Sequence, residues 1–285
     1  MKHIIKLMRL HHGIKSILVF LPIIFSGRLF ELPLLLSVLA GFLSFVLLSS
    51  SVYCINDVFD REKDRLHPTK KNRPVASGAV SVRAALILAV CLIVLSVLID
   101  SLVSKSLMSL PILLLYLGLN LSYSAGLKEI PMVDIVILVS GFLLRVLYGS
   151  VISDIPVSNW LYLTVISVSF YLGLGKRRNE YARSGESTRK VLKHYTYEFL
   201  DKNMYISNAL TLIFYSLWCT VSELSGKGSG RLVWTVPLVM LISMKYSLNV
   251  EASSDGDPVE VLIHDRSLMV LAGIYGVVMF LLLYA

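Results

Sequence analysis

Charge is scarce in this 285-residue chain, where 16% of residues are Asp, Glu, Lys or Arg, 55% are hydrophobic and the mean hydropathy is +0.72. A soluble globular domain carries about 25% charge, so the composition argues against that class. Amphipathic stripes are lacking too. The apolar residues come in long blocks that are apolar on every side, which excludes a soluble helical bundle. Cysteine is sparse: Cys54, Cys91 and Cys219 all fall in or beside those blocks, at spacings that suit neither a zinc site nor a disulfide framework. They read as small buried residues. The two long loops, about 55–83 and 176–204, lack the Gly/Ser/Pro composition of a linker, so residues 1–285 read as a single domain. The basic start imitates a secretory signal, but no small-residue cleavage site closes the first apolar stretch, where Pro22 and Arg28 stand instead. Residues 1–13 are therefore expected to form a basic interfacial segment.

What is present is a series of membrane spans. Crossing the hydrocarbon core takes roughly 20 apolar residues. Candidates lie at about 14–30, 32–54, 84–100, 106–123, 131–152, 160–175, 205–223, 231–249 and 267–285, giving an all-α polytopic protein of about nine helices. With the N-terminus in the cytoplasm, 22 of the 27 lysines and arginines fall in inside loops, four fall outside, and Arg145 lies within a span. That bias obeys the positive-inside rule and leaves the C-terminus outside. The formal net charge of +8 is then mostly a topology signal, with substrate phosphates as a second reason. Nucleic acid is not needed to explain it. Two cytoplasmic loops are long, about 55–83 and 176–204, and long loops in compact domains are usually functional or disordered.

The second span runs into Asn56-Asp57-Val58-Phe59-Asp60-Arg61-Glu62-Lys63-Asp64. On a continuing helix Asn56, Asp60 and Asp64 stand at i, i+4 and i+8 and form one ridge, with Asp57 beside it. Hard oxygen ligands aimed one way repel each other unless a cation lies between them. Magnesium suits such an open cluster, because it prefers a few carboxylates plus substrate phosphates to a full protein cage. Lys70, Lys71 and Arg73 follow and can meet the remaining phosphate charge. A solvated, salt-bridged loop face is the alternative. The cluster begins inside the membrane boundary, however, where carboxylates are expensive and rarely idle. Arg145 is deep in a span, eleven residues after Asp134, and needs either a phosphate-binding cavity or a carboxylate partner.

Asn56-Asp57-x-x-Asp60-x-x-x-Asp64 followed by Asn72-Arg73-Pro74-Val75-Ala76-Ser77-Gly78 resembles the first motif of the UbiA prenyltransferase superfamily. Tyr123-Ser124 with Lys128 and Asp134 resembles the superfamily's next signature. The resemblance covers essentially the whole chain. It implies nine transmembrane helices around a lipid-accessible cavity, and two acidic motifs holding magnesium and a diphosphate. The aspartate pair that aromatic prenyltransferases carry after the sixth span is missing. Here stands Gly175-Lys176-Arg177-Arg178-Asn179-Glu180-Tyr181, followed by Arg189-Lys190-Val191-Leu192 and Tyr195, with Gly256-Asp257-Pro258-Val259-Glu260 in the last cytoplasmic loop. Arg9 through Lys15-Ser16 is a fainter echo. Together these look like the branch that joins phosphoribosyl diphosphate to a polyprenyl phosphate such as decaprenyl phosphate.

That resemblance implies a magnesium-dependent transferase of the cytoplasmic membrane, its site facing the cytoplasm. Asn56, Asp60, Asp64 and Glu180 are the expected metal ligands, and Asp57, Asp60 and Asp64 the expected catalytic carboxylates. Lys15, Lys70, Arg73, Tyr123, Lys128, Asp134, Arg145, Lys176, Arg177 and Arg189 are the expected substrate contacts. Phosphoribosyl diphosphate and a lipid phosphate bring more phosphate than a prenyl diphosphate would, and Lys176, Arg177 and Arg178 stand where the aromatic enzymes place acid. Ordinary positive-inside charge is the other reason for basic residues there. Two rival readings remain: an aromatic-acceptor prenyltransferase making a quinone or haem precursor, and a small-solute transporter built on Asp134 and Arg145. No inverted repeat supports the transporter.

Overall fold

The computed structural model describes residues 2–68, 70–184, 190–221, 230–251 and 258–285, so Thr69, Arg189 and Asp257 lie outside the described residues. The described chain is helical and carries no strand. Its twelve α-helices are α1 (Lys2–Met8), α2 (Leu21–Phe25), α3 (Leu32–Phe59), α4 (Arg61–Arg65), α5 (Val82–Val103) and α6 (Ser109–Ala125). There follow α7 (Val133–Ser153), α8 (Asn159–Ser184), α9 (Tyr197–Val221), α10 (Val236–Glu251), α11 (Pro258–His264) and α12 (Arg266–Tyr284). A 3-10 stretch, Leu10–Phe20, joins α1 to α2 and buries Gly13, Ser16 and Val19 at the three-residue spacing of that helix type.

Local chemistry sets the helix starts. Pro33 occupies the first turn of α3, where its missing N–H is no loss. Ser81 caps α5 by accepting from the Ala84 N–H at 3.2 Å. Asp265 caps α12 by accepting from the Leu268 N–H at 2.8 Å and pairs with Lys245 at 3.0 Å. These donors hold its carboxyl down at about 2.

Every expected span overlaps helix. Six helical stretches are long and apolar enough to cross a membrane: α3, α5, α7, α9, Leu232–Glu251 and α12. Leu10–Phe25 and α6 are apolar but shorter, and α8 mixes apolar residues with polar ones and ends in a charged run. The loop expected at 176–204 is largely absent. Helix α8 continues through Lys176–Ser184 and α9 begins at Tyr197. The extension has no Gly or Pro to stop it, and the Arg177–Glu180 pair at i,i+3 ties its surface together.

The helices group into two compact units. Unit 1 comprises residues 1–24, 28–128 and 144–156. In it α3 packs along α5, with Ser44 donating to the Ser96 carbonyl at 2.9 Å. Helix α7 crosses the 3-10 stretch at Gly149, where an added Cβ would sit 2.1 Å from the Val19 carbonyl oxygen. Phe45, Tyr116, Tyr148, Leu48 and Val38 fill the core. Serines are buried here (Ser16, Ser44, Ser49, Ser50, Ser51, Ser96), while Leu36, Ile87, Leu98 and Leu114 are exposed. Unit 2 comprises residues 25–27, 129–143 and 157–285. Its α8 packs along α9 and its α10 along α12, around Tyr171, Leu192, Leu200, Met204 and Tyr246.

Candidate active site

The acidic ridge expected from the sequence forms in unit 1. Helix α3 ends at Phe59 and Asp60 leaves ideal helical geometry, yet the backbone ladder runs on. Asp60 N–H donates to the Asn56 carbonyl at 2.9 Å, and Asp64 N–H to the Asp60 carbonyl at 2.8 Å. The i, i+4, i+8 register therefore survives the junction between α3 and α4.

A cation meets each carboxylate of the ridge. Arg9 binds Asp57, which is only 1% exposed. Arg73 Nη1 lies 2.5 Å from Asp64 Oδ2 and 3.7 Å from Asp57 Oδ1, bridging the two. Lys128 Nζ lies 2.5 Å from Asp60 Oδ1. Asn56 Oδ1 accepts from the Ser124 hydroxyl at 3.1 Å. Three aspartates face three cations, and the cluster is neutral by formal count.

The loop that delivers Arg73 is built for that task. Pro74, Val75 and Ala76 are buried, Val75 joining Leu7, Cys54 and Ala85 in one cluster. The Ala76 carbonyl accepts from Arg65 Nε at 3.2 Å. Gly78 turns the chain at φ +78, a left-handed conformation that side chains other than glycine rarely adopt. The apolar residues of Asn72–Gly78 thus anchor the loop while Arg73 points back at the aspartates.

Arg9 is the site residue that sequence reading undervalues, giving it only a place in the basic interfacial segment and in a faint echo of the family. It has a left-handed backbone (φ +49) at the break between α1 and the 3-10 stretch. Its guanidinium lies 5.2 Å from the Tyr53 ring centroid while reaching Asp57. The signal available in sequence was a lone arginine between two short helical segments, which by itself says nothing of a partner 48 positions away.

The donor set of the ridge fits a hard cation. It consists of oxygen ligands only, and Asp57 Oδ2 is buried without a hydrogen-bond partner. A buried orphan oxygen on a carboxylate that shares Arg73 with Asp64 is an arrangement an ion would complete. Among the described residues no three acidic, histidine or thiol groups gather closely enough to hold a metal by themselves. Substrate phosphates and water would have to supply the other ligands, as magnesium prefers.

Unit 2 holds a second network. Arg177, 1% exposed, donates from Nε to Asp134 Oδ2 at 2.7 Å and from Nη1 to Glu180 Oε2 at 2.8 Å. Asp134 is fully buried, and its other oxygen accepts from the Tyr195 hydroxyl at 2.7 Å. That hydroxyl in turn accepts from the Met132 N–H at 2.6 Å. Burial pushes the Tyr195 hydroxyl up to about 12, opposed by the Met132 amide and reinforced by Asp134, so it stays protonated and able to donate. Arg178 engages Asp201 at 2.6 Å and Glu251 at 3.6 Å, with its guanidinium 4.7 Å from the Tyr197 ring centroid.

The remaining expected contacts lie on several elements. Lys15, Lys70, Tyr123 and Lys176 are half-buried, on the 3-10 stretch, a short 3-10 turn (Lys70–Asn72), α6 and α8 respectively. Arg145 is buried in unit 1. It donates to the Ser49 and Tyr116 hydroxyls, both at 3.1 Å, and to Ser16 at 3.4 Å, with the Phe45 and Tyr116 ring centroids 4.9 and 5.0 Å away. Arg189 lies outside the described residues.

The chain is similar to known proteins along most of its length. Residues 17–264 match the UbiA prenyltransferase family. The decaprenyl-phosphate phosphoribosyltransferase of Corynebacterium glutamicum is 32% identical over 277 residues, covering 94% of this chain and 82% of that protein. The Mycobacterium tuberculosis protein of the same name is 33% identical over 276 residues, covering 94% and 90%. Among solved structures, a UbiA homolog from Archaeoglobus fulgidus bound to GPP and Mg2+ shares the fold with a TM-score of 0.72, at 19% identity and 99% coverage of both chains. The same homolog has been solved bound to Cd2+, with a TM-score of 0.69 at 17% identity and 99% coverage of both chains. The acidic ridge, the cations folded onto it and the match along most of the chain lead to one conclusion: this protein is a member of the UbiA prenyltransferase family.

Proposed function

We propose that this integral membrane protein transfers 5-phosphoribose from phosphoribosyl diphosphate to a polyprenyl phosphate and releases pyrophosphate. The observation that carries the reading is the neutral Asp57/Asp60/Asp64 and Arg9/Arg73/Lys128 cluster. It stands in a chain about a third identical, over 94% of its length, to proteins named for that transfer. The reading takes the chain as one domain of nine spans in the cytoplasmic membrane, with its N-terminus and site in the cytoplasm and its C-terminus outside. The positive-inside bias supports that orientation.

Asn56, Asp60 and Asp64 would hold magnesium, with Glu180 as a further oxygen ligand. When bound, the ion neutralises diphosphate charge and stabilises the leaving group. Arg73 and Lys128 are held close to the ridge by carboxylates and can exchange those partners for phosphate oxygens as the donor binds. Arg73 is suited to bidentate phosphate contact by its planar guanidinium. Asp57, buried and fixed by Arg9, keeps its orientation while the others exchange. The acceptor phosphate oxygen is already anionic, so no side chain has to remove a proton. Its electron pair forms the new bond to C1 of the ribose as the C1–O bond to diphosphate breaks, and the departing pair leaves on pyrophosphate. Lys176, half-buried on α8, adds positive charge for the 5-phosphate and the lipid phosphate.

The test is a paired transfer assay on detergent-purified protein with magnesium. One tube holds labelled phosphoribosyl diphosphate and polyprenyl phosphate, the other prenyl diphosphate and a hydroxybenzoate-type acceptor. Labelled lipid and pyrophosphate in the first tube only are expected. Product in the second only would replace this reading with the aromatic-acceptor one.

A further inference from the structure

Tyr195 carries a hydroxyl that packing does not require. Its ring stacks on Phe199 at 5.9 Å between centroids and 11° between planes, a contact phenylalanine would make equally well. The hydroxyl instead closes a directional chain. Met132 N–H donates to Tyr195, Tyr195 O–H donates to Asp134, and Arg177 donates to Asp134 through Nε and to Glu180 through Nη1. Met132 sits at φ +66, a strained conformation for an unbranched side chain, and it aims its amide at the tyrosine.

Exposure rises along the chain from Asp134 at 0% and Arg177 at 1% to Glu180 at 16%. Of these three charged side chains, Glu180 is the one that reaches the surface. Two carboxylates share the Arg177 guanidinium. Arg177 keeps its two-way grip only while Asp134 holds its rotamer, and Asp134 holds it because Tyr195 engages its second oxygen. We infer that Tyr195 is a positioning residue that fixes Glu180 for cation–diphosphate binding, acting through Asp134 and Arg177. The inference rests on the proposed role of Glu180 in that binding.

A double-mutant cycle on the full-length protein tests it, reading calorimetric affinity for phosphoribosyl diphosphate at fixed magnesium alongside thermal midpoints. Tyr195→Phe should weaken binding about tenfold and raise the magnesium needed for half-saturation, as lost ligand-orienting bonds do elsewhere. In the Glu180→Gln background the same change should have no further effect, since coupled residues are not additive. Binding by Tyr195→Phe within twofold of wild type would overturn the proposal, as would an undiminished loss in the Glu180→Gln background. If Glu180→Gln alone leaves binding unchanged, the role of Glu180 itself falls, and the proposal with it. Asp134→Asn, which keeps the shape, runs the same cycle should Tyr195→Phe not fold.

Discussion

Replacing Arg177 with methionine removes the cation that pairs with a fully buried aspartate, Asp134. In the native fold the Asp134 carboxylate accepts from Arg177 Nε at 2.7 Å and from Tyr195 at 2.7 Å. Arg177→Met leaves the tyrosine bond but strands the charge. Breaking one side of a buried pair typically costs about 3–5 kcal/mol, because the remaining ion stays desolvated. That is about a 10²- to 10⁴-fold loss in the folding equilibrium. The double change Arg177→Met with Asp134→Asn removes both charges and should regain most of the loss. Lys190 provides the internal control. It pairs with Glu129 at 3.2 Å, but the two side chains are 72% and 35% exposed. Lys190→Met should therefore change stability by about 0–1 kcal/mol. The assay is unfolding in mixed micelles followed by fluorescence, with all variants run in parallel. A cost for Arg177→Met below about 1 kcal/mol, or a double variant no better than the single one, would refute the desolvation argument.

The other perturbations separate chemistry from packing. Asp60→Asn keeps the side-chain shape but removes the charge that faces Lys128. Turnover should fall by about 10²-fold or more with elution profile and thermal midpoint unchanged, and retained turnover would remove the ridge from the active site. Gly149→Ala places a Cβ 2.1 Å from a backbone oxygen that cannot rotate away, so α7 must shift from the 3-10 stretch. A cost of about 3 kcal/mol or more is expected, read as lost monodisperse protein or a lowered midpoint.

The membrane class and the ridge were legible for a simple reason: each rests on a local period. Lipid demands roughly 20 apolar residues per crossing, and i,i+4 spacing aligns Asn56, Asp60 and Asp64 whatever the rest of the chain does. The end of α8 was less visible, since its charged run looked like loop although nothing in it breaks a helix. Partners across the sequence were not legible at all. Arg9 lies 48 positions from Asp57, and Arg177 lies 43 from Asp134. A basic residue that meets a phosphate and one that meets a distant carboxylate are written with the same letter. Only the fold tells them apart.

The buried serines and exposed leucines of unit 1 invert the usual rules of tolerance to mutation. Acyl chains are as apolar as leucine, so moving a leucine from lipid into the bundle gains little, and close contact between small or hydroxylated residues must hold the helices together. Leu36, Ile87 and Leu98 can then exchange with other apolar residues at little cost, whereas Ser44 and Ser96, joined across α3 and α5, cannot. In this protein the vulnerable positions are the small polar ones, and the greasy exterior is the part evolution is free to rewrite.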